Sequence, residues 1–301
     1  MDEKLVTRRE AIAKTALAGL FLPVIVSCAR RGGTAVGGAV SPAAAAPAAP
    51  RLNLGVAGYS LRKLSTEAAV AALRQMQIGS VSVFRVHVPI LLSTPDVCRE
   101  AAGKFRAAGL AIPSTGVVTL AKSEGVMRRA FECGRAAGLS TMAASYAEPP
   151  DRDTFLMTER FVREYDIKLA FHNHGPEDRI FPSPFDVWDA VQPYDPRLGL
   201  CIDVGHAARA GADPVEAILK CRSRLYDVHM KDTLAGAGEK KDRPVVLGYG
   251  RLDIRSMMAA LIQVGFRYQV GLEYEVEEAD PIPGIAQSFG YMRGVLAGLP
   301  A

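Results

Sequence analysis

Five histidines occur in the 301 residues of this chain, and each stands at or just after a short run of β-forming residues. They are His87, His172, His174, His206 and His229. Imidazole nitrogens beside carboxylates can bind a transition metal or move a proton near neutral pH. One histidine alone is usually structural, but five at the same end of successive strands indicate a shared site.

Side chains alternate between the two faces of a strand, so residues two apart share a face. Four of these runs end in polar residues, and within each run those residues lie on one face. They are His172 with His174; Asp203; Asp227 with His229 and Lys231; and Glu273 with Glu275. Where such strands end together, they form a set of nitrogen and oxygen ligands. This set suits Mn²⁺, Zn²⁺, Co²⁺ or Fe²⁺, of which we expect Mn²⁺. The alternative is that Glu273 and Glu275 lie on a solvated loop and that Asp203 caps a helix.

The β-forming runs alternate with helical patterns and recur about every 30 residues, with one longer gap before the last. We predict helices over Thr66–Gln77, Pro95–Ala108, Glu124–Ala137, Arg152–Tyr165, Pro214–Arg222 and Ile254–Val264. We predict eight strands, at residues 53–60, 79–87, 110–118, 138–146, 167–174, 198–205, 224–231 and 268–275. Eight such units predict a single-domain (β/α)8 TIM barrel, whose site lies at the carboxyl ends of the strands. A doubly wound open sheet is the alternative, but no G-x-G-x-x-G follows the first strand.

Residues 1–27 are predicted to be a signal peptide of the twin-arginine type. Basic residues precede an apolar run, Thr15 to Val26, that is shorter than the roughly 20 residues needed to span a bilayer. Ile25-Val-Ser-Cys28 resembles a lipobox, so we expect lipidation of Cys28, and an ordinary signal peptide is the alternative. Residues 28–50 are rich in Ala, Gly and Pro and predict a linker before the barrel at 51–301. The protein is therefore expected to be exported, as a periplasmic or membrane-anchored lipoprotein.

The net charge of +4 is concentrated in the predicted leader. The first 50 residues carry a net charge of +3, which leaves +1 for residues 51–301. A nearly neutral barrel excludes a general attraction to nucleic acid, and the only membrane contact expected is through the lipid anchor. Four further cysteines fall in apolar patterns and are expected to be free, buried thiols. These features allow a homo-oligomer and point to a small-molecule partner.

Several segments at the strand ends resemble the xylose isomerase-like TIM barrels. This family includes sugar phosphate isomerases and epimerases, ketose 3-epimerases, inosose dehydratases and AP endonucleases. The resemblance covers roughly residues 52–298 and rests on the order and spacing of short motifs. They are Phe171-His-Asn-His-Gly175, Cys201-Ile-Asp-Val-Gly-His206, Asp227-Val-His-Met-Lys-Asp232, Leu247-Gly-Tyr-Gly250 and Gly271-Leu-Glu-Tyr-Glu275, with His87-Val-Pro-Ile after the second strand.

The resemblance implies a divalent metal ion held by Asp203, His229 and Glu273. Many members add a glutamate from the fifth strand, where this chain has His172, so the two-glutamate mechanism of the ketose epimerases cannot be carried over. Either His172 or His174 takes that place, and we assign His172 as the fourth ligand. The other polar side chains at this end are assigned to the substrate pocket: His87, His206 and Glu275.

A metal beside a carbonyl oxygen stabilises an enediolate, and a nearby base removes the proton on the adjacent carbon. The same intermediate leads to isomerisation, to epimerisation or to β-elimination by a lyase. The candidate bases are His174, Lys231 and Glu273. Gly248 and Gly250 would either let the backbone approach the substrate or form a plain turn.

The expected location bears on the substrate. An exported enzyme meets unphosphorylated compounds, so we expect a keto-sugar or keto-glycoside. Two alternatives remain: a non-catalytic carbohydrate-binding barrel at the cell surface, and a metal-dependent AP endonuclease. The second of these needs more histidine ligands and more basic charge than this chain has.

Overall fold

The computed structural model describes residues 52–300. The predicted signal peptide, Cys28 and the linker at 28–50 lie outside the described residues. Within the described part, no helix combines the length and the apolar character that crossing a bilayer requires.

Eight parallel strands form the main sheet of the described chain. They are β1 (Asn53–Ala57), β2 (Val81–Ser82), β3 (Val118–Leu120), β4 (Thr141–Tyr146), β5 (Lys168–His172), β6 (Leu198–Asp203), β7 (Leu225–Met230) and, after two further strands, β10 (Gln269–Leu272). The remaining two, β8 (Asp232–Thr233) and β9 (Pro244–Val245), pair antiparallel with each other. Neighbours in the main sheet follow the order β2-β1-β10-β7-β6-β5-β4-β3.

The sheet curls until its edge strands meet. Ser80 and Val83, which flank β2, form parallel bridges with Ala111 and Thr115. Because these bridges connect the two ends of the sheet, the structure confirms the predicted (β/α)8 barrel and excludes the doubly wound open sheet.

The predicted third strand at residues 110–118 is wrong in position. Regular pairing with β4 begins only at Val118, and the preceding residues contribute isolated bridges. The physical reason lies in Pro113, which has no backbone N–H to donate to a ladder.

Nine helices of the described chain surround the barrel: α1 (Thr66–Gln75), α2 (Pro95–Ala107), α3 (Glu124–Ala136), α4 (Arg152–Tyr165), α5 (Pro184–Val191), α6 (Val204–Arg209), α7 (Pro214–Cys221), α8 (Ile254–Gln263) and α9 (Ile282–Ala297). The six predicted helices are confirmed to within two residues at each end. Polar caps fix several of their starts, because the side chains of Ser65, Asp213 and Asp253 accept backbone N–H groups of the first turn.

The outward faces of the central strands pack against the helices. Phe171 of β5, Ile202 of β6, Val228 of β7 and Leu272 of β10 are all buried in the main apolar core. Period-two alternation then turns the intervening residues of these strands toward the barrel interior.

Small side chains fill the interior below the strand ends. Ala143, Ala170 and Cys201 form a separate buried cluster with Tyr226. Gln269, at the start of β10, is also buried and donates to Ser80. Beyond the small side chains, the carboxyl ends of the strands have room for further polar side chains, which is where the sequence places them.

Candidate metal centre and active site

Four adjacent strands bring four ligand-type side chains to one point. His172 ends β5, Asp203 ends β6, His229 lies near the end of β7, and Glu273 directly follows β10. One ligand atom of each lies within 4.8 Å of the others, and every one of the four residues is less than a tenth exposed. Here these four residues are called the donor cluster. Its burial excludes the alternative of a solvated loop for Glu273.

An extra residue in β7 sets the register of the donor cluster. Leu200 pairs with Leu225, but the next residue, Cys201, pairs with Asp227, so Tyr226 is unmatched on β6. Beyond this bulge Asp203 stands opposite His229. Regular pairing would have placed Val228 there instead, so the bulge aligns the two ligand-bearing faces.

The spacing of the donor atoms fits a bound metal ion. His172 Nε2 lies 3.0 Å from His229 Nδ1 and 3.6 Å from Asp203 Oδ2, and His229 Nδ1 lies 3.4 Å from Glu273 Oε1. Two ligands about 2.1 Å from one ion, in octahedral or tetrahedral geometry, stand about 3.0–3.4 Å apart. The cluster therefore has the donor types and the mutual distances of a divalent metal site.

One oxygen of the cluster also lacks a hydrogen bond. Asp203 Oδ2 is buried without a hydrogen-bond partner among the described residues. Such atoms are rare in native proteins, and an ion is one of the ways in which they are satisfied.

Asp203 has two separate roles at the end of β6. Its Oδ1 accepts the backbone N–H of His206 at 2.8 Å and so caps α6, as the predicted alternative required. Its Oδ2 remains free for the donor cluster. Asn173 fixes this strand end, since its side-chain amide exchanges two 3.0 Å hydrogen bonds with the backbone of Asp203.

Lys231 lies at the centre of an acidic group. Its Nζ is 2.8 Å from Glu275, 3.4 Å from both Asp203 and Glu273, and 3.8 Å from Asp242. Four carboxylates thus surround one fully buried ammonium group, and the excess negative charge favours binding of a further cation.

The carboxyl groups of the cluster are ionised. Burial by itself would raise both pKa values, but the ammonium group of Lys231, 3.4 Å away, holds the pKa of Asp203 well below its ordinary value. His229 and Lys231 likewise lower the pKa of Glu273 to about 2 despite its burial. Both residues are therefore in the form that binds a metal.

The two imidazoles of the cluster differ in protonation. Burial lowers the pKa of His172 to about 3, so this ring is neutral. Burial would also lower the pKa of His229, but Cys201 and Glu273 raise it well above its ordinary value. A metal that takes His229 as a ligand must therefore displace a proton.

A cavity of about 260 Å³ opens beside the donor cluster. Its walls include His172, Glu273 and three other residues predicted to take part: His174, His206 and Glu275. Aromatic and aliphatic side chains complete it, together with a few polar ones: Tyr59, Phe84, Arg85, Val117 and Thr119. Here this space is called the main cavity, and its size suits one sugar ring.

His174 is positioned by a residue that the sequence reasoning missed. Its Nδ1 lies 3.0 Å from Asp178 Oδ2, and the other oxygen of Asp178 accepts the N–H groups of Ile180 and Phe181. The carboxylate is therefore fixed by its own loop within ion-pair distance of the imidazole, whose Nδ1 makes no hydrogen bond to a described residue. Only the spacing of four residues between His174 and Asp178 could have indicated this pair.

His206 is held by Arg209, a second residue that the sequence did not indicate. The fully buried guanidinium donates to His206 Nδ1 at 2.9 Å and forms an ion pair with Glu177 at 2.6 Å. Because arginine can only donate, Nδ1 of His206 must be the acceptor. Burial lowers the pKa of His206 to about 4, so this residue is neutral.

His87 is not brought to the main cavity. Its ring is buried against Phe105, its Nε2 faces the carbonyl oxygen of Leu64 at 3.2 Å, and it does not line the main cavity. The predicted strand at residues 79–87 is wrong at its carboxyl end, because β2 ends at Ser82 and His87 lies in the turn that follows. The structure therefore does not bring His87 together with the other predicted site residues.

Gly248 and Gly250 approach a carboxylate of the protein itself. Asp232 accepts the N–H groups of Gly248, Gly250 and Leu252, and a Cβ at Gly250 would collide with its carboxyl group. Of the two alternatives for these glycines, a structural turn is therefore the correct one, and Asp232 explains the motif that ends β7.

Fold and site together define a (β/α)8 barrel with a buried His/Asp/Glu cluster at the carboxyl ends of its strands. A family model described as "Xylose isomerase-like TIM barrel" matches residues 126–295, and the chain belongs to this family.

Two curated relatives match part of the chain. The rhizopine catabolism protein MocC of Rhizobium meliloti is 29 % identical over 141 residues, which cover 42 % of each protein. An inosose dehydratase of Geobacillus kaustophilus is 26 % identical over 145 residues, or 44 % of this chain and 45 % of the relative. The chain thus matches less than half the length of either relative.

Solved structures share the fold over most of the chain. The IOLI protein, crystallised with a bound zinc atom, superposes with a TM-score of 0.68 at 14 % identity and covers 82 % of this chain and 98 % of its own. The 3-keto-D-glucoside 4-epimerase YcjR of E. coli superposes with a TM-score of 0.60 at 13 % identity. The superposition covers 81 % of this chain and 99 % of the epimerase. At these identities the likeness establishes the fold alone.

Proposed function

We propose that this protein is a divalent-metal-dependent enzyme that removes the proton next to the carbonyl group of a keto-sugar or keto-glycoside. The outcome is isomerisation, epimerisation or elimination. One observation carries the proposal: four buried metal-type donors with excess negative charge adjoin a cavity of sugar size. The named activities of the relatives and neighbours, a dehydratase and an epimerase among them, support the same reaction class.

His172, Asp203, His229 and Glu273 would hold the metal. When bound, it polarises the substrate carbonyl and stabilises the negative charge that develops on its oxygen. The zinc atom of the IOLI protein supports metal binding in this fold. We propose Mn²⁺ for this chain, with Zn²⁺, Co²⁺ and Fe²⁺ as alternatives.

The surroundings of the three candidate bases favour His174. Glu273 has a pKa of about 2 and is a weak base. The carboxylates around Lys231 raise its pKa well above the ordinary value despite burial, so it is an ammonium group that can donate hydrogen bonds to a substrate oxygen. His174 lines the main cavity and is oriented by Asp178.

His174 would take the proton from the α carbon, and the electron pair of the broken C–H bond would move toward the carbonyl oxygen. Return of the proton from His174 to the neighbouring carbon gives an isomer, and addition of a water proton from the opposite face gives an epimer. Loss of a β-hydroxyl, which takes the proton from His174 and leaves as water, gives an α,β-unsaturated ketone. Lys231 and the neutral His206 would hold substrate oxygens during these steps.

The location and partners proposed for the enzyme follow from the leader. Export as a lipoprotein through Cys28 supports an unphosphorylated small-molecule substrate, with the lipid as the only membrane contact. The barrel carries a net charge of only +1, which supports the absence of a nucleic-acid partner. We propose a homo-oligomer as the assembly to test.

The test is metal analysis followed by NMR in D₂O with a panel of keto-sugars and 3-keto-glycosides. We expect the purified chain to hold about one Mn²⁺ and to exchange one carbon-bound proton for deuterium. His229→Ala and Glu273→Ala should lose both properties, whereas Glu100→Ala, on the exposed surface of α2, should keep them. Absence of metal from wild type, or exchange that persists in both variants, would disprove the proposal.

A second function is favoured by the position of Lys231. An ammonium group 3.4 Å from both Asp203 and Glu273 can neutralise the donor cluster without a metal. A barrel of that kind would bind a carbohydrate without transforming it. It would retain sugar binding after chelator treatment and show no deuterium exchange. An AP endonuclease, the third possibility, would cleave an abasic duplex, and we expect no cleavage.

A further inference from the structure

A second, apolar cavity of about 110 Å³ adjoins the main cavity. Its outer wall is the segment between β2 and α2, and its inner wall is the stretch from Thr115 to Thr119. Here it is called the side pocket. Seven of its lining residues are aliphatic: Val83, Val88, Ile90, Leu91, Leu92, Val117 and Val118.

The two cavities share part of their walls. Arg85, Val117 and Thr119 line both of them, so the two spaces meet at these three residues. A molecule that occupies both cavities must therefore pass Arg85 and Thr119.

Few polar side chains line the side pocket. The hydroxyl of Thr115 donates to the carbonyl oxygen of Ala143, so it is already engaged. Arg85 and Thr119 are the other polar residues among those that line the pocket, and both belong to the shared wall. The hydroxyl groups of a second sugar would lose water here without gaining partners, whereas an apolar group would lose nothing.

We propose that the side pocket binds the apolar, ring-sized aglycone of a keto-glycoside whose sugar occupies the main cavity. The inference rests on the proposed function and narrows its substrate class from free keto-sugars to glycosides. The side pocket, at about 110 Å³, is smaller than the apolar cavity of about 150 Å³ that binds benzene, so the ring must also use space of the adjoining main cavity.

The test compares phenyl and methyl 3-keto-β-D-glucosides on the full-length, Mn²⁺-loaded chain. Binding is measured by calorimetry and KM from the rate of deuterium exchange. Burial of one phenyl ring should favour the phenyl glycoside on the order of 10-fold in both Kd and KM. Leu91→Trp fills the side pocket from a residue that does not line the main cavity, and it should bring the phenyl-to-methyl ratio close to one.

A second variant keeps the test valid if Leu91→Trp fails to fold. Leu92 is 76 % exposed, so Leu92→Asp should fold normally while placing a charge at the pocket wall, and it should lower the preference for phenyl. Its matched control is Leu156→Asp on α4, a residue 41 % exposed and distant in sequence, which should preserve the preference.

The outcomes separate the two proposals. Equal affinity for the two glycosides, or a ratio that neither variant changes, overturns the aglycone site, while deuterium exchange in the methyl glycoside still supports the proposed function. If neither glycoside binds or exchanges, both proposals fail. If Leu91→Trp weakens the binding of both glycosides equally, the wall of the side pocket only supports the main cavity. The aglycone site is then also overturned.

Discussion

Replacement of Lys231 by Met tests the charge balance of the donor cluster. The substitution keeps the length of the aliphatic stem and removes the ammonium group from among Asp203, Asp242, Glu273 and Glu275. The first and third of these carboxylates are buried, and a buried charge that loses its partner costs about 3–5 kcal/mol.

The pKa of Glu273 gives an independent magnitude. Its value of about 2, compared with an ordinary 4.5, corresponds to about 3 kcal/mol of stability, to which His229 and Lys231 both contribute. Because the folded-state pKa is lowered, this contribution is fully present above about pH 4.5 and is lost as the pH falls toward 2. At pH 7 we therefore expect Lys231→Met to lower the free energy of unfolding by about 3 kcal/mol.

The assay is thermal unfolding at pH 7 with and without Mn²⁺ after chelator treatment. A loss of about 3 kcal/mol should lower Tm by about 6 °C in a domain of this size. Lys63→Met, an exposed lysine on the loop before α1, should change Tm little.

Mn²⁺ should reverse much of the loss. The ammonium of Lys231 repels a cation bound to Asp203 and Glu273, so the Mn²⁺-induced rise in Tm should be larger in Lys231→Met than in wild type. The reasoning is refuted if Mn²⁺ stabilises neither protein or stabilises wild type more strongly.

Three further outcomes are expected. Mn²⁺ affinity should increase from pH 6 to pH 8, because His229, whose pKa is raised well above its ordinary value, must lose a proton to bind metal; a pH-independent Kd in calorimetry would contradict this. Asp178→Asn should slow deuterium exchange about 10- to 100-fold with unchanged metal content, since it disturbs the orientation of His174; unchanged exchange would remove the pair from the mechanism. Asp232→Ala should lower the free energy of unfolding by on the order of 3 kcal/mol in urea titrations, because several backbone N–H groups lose their acceptor; a loss below 1 kcal/mol would show that water replaces it.

Much of the donor cluster could be predicted from the sequence. Period-two alternation identifies the faces of His172, Asp203, His229 and Glu273, and parallel strands bring their carboxyl ends to one edge. These rules depend only on local backbone geometry, so they hold before any tertiary contact is known.

The remaining parts depend on loops and on register. Nothing in the local pattern shows that the segment after β2 turns His87 away from the cavity. Asp178 and Arg209 reach the site residues through contacts that depend on how the loops fold. Composition does not reveal those contacts. The bulge at Tyr226 is likewise hidden, because alternation predicts a face of β7 but not the residue opposite to it on β6.

That bulge divides the barrel wall into two registers. Below it, β6 and β7 pair through Leu200 and Leu225, and above it they pair with an offset of one residue. Loss of the bulge without loss of a residue, so that Cys201 paired with Tyr226, would bring Val228 opposite Asp203 while the strands could still close the barrel. The closed barrel and the alignment of its ligand residues can therefore change separately, and a single residue of β7 marks the boundary between them.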